Sequence, residues 1–119
     1  MSKKRGAIIK QSFEFAIIII NLYKYLVTDK KEFVMSKQLL RSGTAVGALA
    51  REAQNAESKA DFIHKLAIAQ KECDESIYWL ELLQETEFIS TDKFNALNTK
   101  ARDLLKMIRS AIITTKSNL

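Results

Sequence analysis

The sequence predicts an all-α fold, and three observations carry that expectation. Proline is absent and only three glycines occur in 119 residues, which removes most of the punctuation of turns and strand edges. Apolar residues recur at spacings of three and four through four long segments, the period of one helix face. Short polar stretches separate those segments, and three of them place a serine or threonine where it can cap the next helix. Four helices joined by short connections predict a single antiparallel up-down-up-down four-helix bundle over residues 1–119. That length buries a core without disulfides or metal.

The first helix is expected from about Gln11 to Thr28. At about 100° per residue, its polar sector is narrow: Glu14, Asn21, Lys24 and Thr28. A surface helix needs an apolar stripe only somewhat wider than about 100°, so the surplus predicts a partner outside the bundle. Phe15, Ile18, Ile19 and Leu22 are assigned to an oligomer interface. The basic Met1–Arg5 segment ahead of an apolar run superficially suggests a signal peptide. No small-residue cleavage site follows, and the run is far short of a bilayer span. Export and membrane insertion are therefore excluded at this stage, and Lys3, Lys4 and Arg5 read as a flexible basic arm.

Ser36 is the expected N-cap of a second helix running to about Ala56. Its central stretch, LLRSGTAVGALAREA over residues 39–53, places Gly43 and Gly47 four apart on the apolar face. Each glycine costs a helix about 1 kcal/mol relative to alanine. Close approach of a second helix is the expected compensation. Ser58 and Asp61 form a capping-box-like pair ahead of a third helix, Lys59 to Glu85. Phe62, Ile63, Leu66, Ala69, Cys73, Ile77 and Leu80 make its core stripe. Tyr78, Trp79 and Leu82 widen the apolar surface and are paired with the first helix as one intersubunit contact. After a turn over Glu87–Thr91, with Ser90 or Thr91 capping, the fourth helix runs from Asp92 to about Thr115.

The segments RSGTAVGALAREA, AESKADFIHKLAIAQKE and YWLELL resemble the four-helix-bundle family that includes the large-subunit ribosomal RNA intervening-sequence proteins. The likeness runs from about Gln38 to Leu83. It implies a homo-oligomer, with a pentameric ring preferred. A related accessory protein of diversity-generating retroelements has a basic ring that binds nucleic acid and a reverse transcriptase. Asn and Ile are usual in the family where this chain has Leu49 and Ala50.

Catalytic chemistry finds little support. A di-iron bundle needs two Glu-x-x-His motifs and two further glutamates, and this chain has one histidine. Asp61 and His64 share the spacing but project away from the core stripe. Cys73 lies on that stripe beside Glu72 and Asp74, which suppresses the thiolate. A single cysteine fits a reducing, cytoplasmic setting. Asp74, Glu81 and Glu85 share a helix face, which a solvated surface or salt bridges to the fourth helix explain. No catalytic, cofactor or metal site is assigned, and no membrane partner is expected.

Charge is the remaining functional signal. Residues 72–92 hold seven acids and no base, whereas residues 93–119 hold six bases and one acid. Arg102, Lys106, Arg109 and Lys116 fall in one sector of the fourth helix. With Lys3, Lys4 and Arg5 they could neutralise phosphates without reading sequence. Two expectations follow: a basic oligomeric accessory protein that binds RNA or DNA, or an oligomeric scaffold whose ligand is another protein.

Overall fold

The computed structural model describes residues 2–118. It contains four α-helices: α1 (Lys3–Thr28), α2 (Met35–Gln54), α3 (Lys59–Glu85) and α4 (Thr91–Ser117). No strand occurs among the described residues. The molecule measures 47 × 21 × 19 Å, so its long axis is little more than one helix. Backbone contacts join α1 to α2, α2 to α3, α3 to α4 and α1 to α4. The diagonal backbones stay apart, as expected when four helices surround one core.

The helix α1 begins eight residues earlier than its apolar period predicts. Ser2 caps it, its hydroxyl accepting from the Arg5 N–H at 3.1 Å. Lys3, Lys4 and Arg5 are therefore a helical turn and not a flexible arm. The added length also changes the membrane argument. By length and composition alone, α1 could cross a bilayer. Here one of its faces lines the core, through Ile8, Phe15, Ile19, Leu22 and Leu26.

Ser36 is not the N-cap of α2: Val34 occupies that position, and Glu32 supplies the capping side chain from the loop. Its carboxylate accepts from the backbone N–H groups of Val34 at 3.1 Å, Met35 at 2.9 Å and Ser36 at 2.7 Å. The Ser36 hydroxyl instead donates to the Glu32 carbonyl at 2.7 Å. Burial pushes the Glu32 carboxyl up, but the donated hydrogen bonds outweigh it and hold the group below the usual glutamate range. A carboxylate at a helix start is also favoured by the unpaired N–H groups there.

The bounds of α3 coincide with those expected. Ser58 accepts from the Asp61 N–H at 3.0 Å, and Asp61 in turn accepts from the Glu57 N–H at 3.2 Å. At its other end Glu87 adopts a left-handed φ of 66°. This lets the Phe88 N–H reach the Leu83 carbonyl at 2.8 Å and the Glu87 N–H reach Gln84 at 3.0 Å, the Schellman arrangement that closes a helix. Ser90 caps α4 by accepting from Lys93 N–H at 3.1 Å.

Small residues set the spacing of α1, α2 and α3. A Cβ on Gly43 would lie 2.9 Å from both γ carbons of Ile19. One on Gly47 would lie 3.3 Å from the Ser12 carbonyl oxygen. Across the next seam, the Ser76 hydroxyl donates to the Ser42 hydroxyl at 2.9 Å. Every buried side-chain polar atom among the described residues has a hydrogen-bond partner, so these serines incur no desolvation penalty without compensation.

Candidate interaction surfaces

The apolar surplus of α1 lies on a different face from the one expected. Phe15, Ile19 and Leu22 are buried inside the chain, at 2%, 0% and 3% exposure, and Ile18 packs half-buried against the same cluster. Phe15, Ile19 and Leu22 are covered by α2 and the rest of the core, whereas Ile18 keeps part of its surface exposed. The outward stripe is Phe13, Ile17 and Ile20, exposed at 50%, 44% and 37%. Four consecutive isoleucines hid this choice, since a continuous apolar run carries no phase. Beside α1, a groove of about 930 Å³ separates Ile18, Leu22 and Tyr25 from the start of α4 at Thr91 and Lys93.

On α3, Tyr78 projects into solvent, whereas Trp79 and Leu82 are half-buried. The two aromatic rings meet edge to face at 5.1 Å. A polar network fixes the tryptophan. Its indole N–H donates to Glu75 at 3.0 Å, and Arg41 of α2 bridges Glu75 at 2.5 Å and Glu72 at 2.8 Å. The Trp79 hydrogen bond, against burial and with help from Arg41, holds the Glu75 carboxyl below the usual range. The hydrogen bonds that Arg41 donates to Glu72 and Glu75 raise its guanidinium above its ordinary value. Arg41 is thus part of an inter-helix network and not merely a solvated charge, a role visible only once α2 and α3 pack together.

The fold separates the basic residues into two groups. Lys4 reaches α4, donating to Ser110 at 2.8 Å and Thr114 at 3.1 Å. Arg5 stacks 4.0 Å above the Phe62 ring of α3. These contacts bring the α1 start to the end of α4 that carries Lys116. Arg102, Lys106 and Arg109 lie further along α4, all exposed. Arg109 approaches Asp74 at 3.6 Å, and Arg102 donates to Asn98 at 3.0 Å. Glu81 and Glu85 form no ion pair among the described residues.

Cys73 is fully buried and donates to the Ala101 carbonyl at 3.3 Å. Burial first, then Asp74, pushes its thiol up to about 12, and Arg109 only partly opposes them. At neutral pH it is a protonated core residue. His64 is exposed. No cluster of three metal-ligating side chains occurs among the described residues.

A match to the 23S rRNA-intervening sequence protein family extends over residues 4–110. The chain belongs to that family. A solved protein of unknown function from the S23 ribosomal protein family of Bacteroides thetaiotaomicron is 51% identical to it. The TM-score is 0.91, covering 92% of this chain and 97% of that one. No match was found among curated proteins.

Leu49 and Ala50, where the resemblance implies Asn and Ile, both serve packing in this chain. Ala50 is 1% exposed in the core, and Leu49 packs half-buried against it. An asparagine at position 49 would supply polar atoms there that this chain does without.

Proposed function

We propose that this protein is a non-enzymatic, single-domain antiparallel bundle that assembles into a homo-oligomer and binds nucleic acid through its basic surface. One observation carries the nucleic-acid reading. Of Lys3, Lys4, Arg5, Arg102, Lys106, Arg109 and Lys116, only Arg109 has a carboxylate within 4.0 Å among the described residues. Intrachain salt bridges therefore leave most of this charge available to phosphate. The antiparallel order is supported by contact register: Ser12 meets Gly47 and Ile19 meets Gly43, while Lys59 meets Asn118 and Cys73 meets Ala101.

Assembly is supported by where the apolar faces lie. The Phe13–Ile17–Ile20 stripe and the Tyr78–Leu82 surface belong to α1 and α3, which are diagonal to one another. Faces on opposite sides of a bundle suit a head-to-tail contact, which makes a ring when the rotation between subunits closes. A pentamer is the preferred ring on family resemblance, and a reducing cytoplasm suits the unpaired Cys73. The Trp79–Glu75–Arg41–Glu72 network favours a second reading, a protein-binding scaffold, because rigid Trp, Tyr and Arg side chains are the usual anchors of protein interfaces.

Light scattering and fluorescence anisotropy with a mixed RNA and DNA oligonucleotide pool test the proposal. The expected result is an oligomeric mass and sequence-independent binding that weakens steeply between about 50 and 200 mM salt. No binding at about 50 mM salt refutes the nucleic-acid reading and leaves the scaffold.

A further inference from the structure

We infer that nucleic acid is anchored on the end of the bundle where α1 and α3 begin and α2 and α4 finish, through a phosphate-binding patch built on Lys3, Lys59 and Lys116. This inference rests on the nucleic-acid reading above and moves its centre away from the α4 stripe.

Cations hold this end together. Lys4 bonds to α4, and Arg5 covers Phe62. Lys59 donates to the Asn118 carbonyl at 2.6 Å, tying the start of α3 to the end of α4. Lys65 lies 3.7 Å from Glu52 of α2, and Arg51 lies 5.1 Å over the Phe13 ring. The start of α1, the α2–α3 connection and the end of α4 thus converge on one surface.

The charge balance of that surface is one-sided. Residues 2–10 contribute four cations and no acid, residues 51–65 three cations and three acids, and residues 111–118 one cation. Their net charge is +5, equal to that of the whole chain, so the rest of the molecule is balanced. Two of the three acids are also engaged: Glu52 faces Lys65, and Asp61 accepts from the Glu57 backbone. Lys3, Lys59 and Lys116 remain exposed.

Geometry matches a phosphate backbone. The bundle is 21 × 19 Å in cross-section, room for roughly six phosphates of one duplex strand at 3.4 Å spacing. The cations stand on helical turns and not on a mobile arm, which lowers the entropic cost of ordering them on binding. Phe62 is buried beneath Arg5 and offers no ring for base stacking, so recognition here is electrostatic and independent of sequence.

The test uses the full chain and a labelled 20-base-pair duplex, titrated at several salt concentrations. Replacing Lys3, Lys59 and Lys116 together by glutamine should weaken binding about tenfold or more at low salt and reduce the salt slope by about 2.7 per bound protomer, about 0.9 for each phosphate released. The comparison variant, with Arg102, Lys106 and Arg109 changed to glutamine, should lose less, because Arg109 already faces Asp74. Lys3→Gln with Lys116→Gln leaves the Lys59 tie intact and should give about two-thirds of the slope change, which guards against a fold defect in the triple variant. An equal or larger loss in the α4 variant, or an unchanged slope in either end variant, overturns the inference while nucleic-acid binding stands. If wild type binds vesicles of phosphatidylglycerol and phosphatidylcholine but no duplex, both readings fail.

Discussion

Alanine at Gly43 should destabilise the protein, although alanine is the better helix former by about 1 kcal/mol. The added methyl would sit 2.9 Å from both γ carbons of Ile19 and 3.2 Å from its β carbon. Ile19 is fully buried on α1, and its β-branch leaves essentially one χ1 rotamer in a helix. It cannot swing aside, so α1 and α2 must separate or strain. Overpacking of this kind typically costs about 1–3 kcal/mol, which leaves a net loss of about 1 kcal/mol at the middle of that range. At Gly47 the nearest atom is the Ser12 carbonyl oxygen at 3.3 Å, a milder conflict that roughly cancels the propensity gain. Thermal unfolding at fixed protein concentration should therefore place Gly43→Ala below wild type by about 4 °C for each kcal/mol lost, with Gly47→Ala close to wild type. An Ile19→Ala background removes both γ-carbon clashes and leaves only the β carbon at 3.2 Å, so Gly43→Ala should cost less there than on the wild-type background. A rise in melting temperature for Gly43→Ala on the wild-type background would refute the close-crossing account.

Two further outcomes follow from other parts of the fold. Glu32→Gln keeps one acceptor oxygen for three backbone donors and should cost about 1–2 kcal/mol, in the range of a lost helix cap. Because folding lowers the Glu32 pKa, its contribution is present above the ordinary value of 4.5 and lost as pH falls through that value toward the depressed one. Acid titration of stability should show this loss in wild type and not in the glutamine variant. Ile17→Glu places a charge on the outward stripe of α1 and should release folded monomer, measurable by light scattering with unchanged helical circular dichroism. An unchanged mass would remove α1 from the subunit contact.

Local chemistry made much of this protein legible. The α3 bounds could be read directly because Ser58 and Asp61 cap the helix with atoms a few residues away. The α3 core stripe followed from a clean period, and Phe62, Leu66, Ala69, Cys73, Ile77 and Leu80 are all buried. Gly43 and Gly47 marked the place where another helix comes near, since only missing side chains make that approach possible. The α1 start was hidden for the opposite reason. Lys3, Lys4 and Arg5 have no apolar period, and three of the contacts that hold this turn lie on Phe62, Ser110 and Thr114. The Glu32 cap was equally unreadable, because a glutamate in a polar loop looks solvated until the backbone turns three N–H groups toward it.

The sequence by itself determined four helices, their order and most of their bounds, and which face of α3 is apolar. Only the tertiary structure decided which side of α1 is inside. Apolar side chains cover nearly its whole circumference, so burying Phe15, Ile19 and Leu22 or burying Phe13, Ile17 and Ile20 satisfies the hydrophobic effect about equally well within the helix. The two glycines of α2 break that tie. Gly43 leaves room for Ile19 and Gly47 for the backbone at Ser12, and that fit turns Phe13, Ile17 and Ile20 outward.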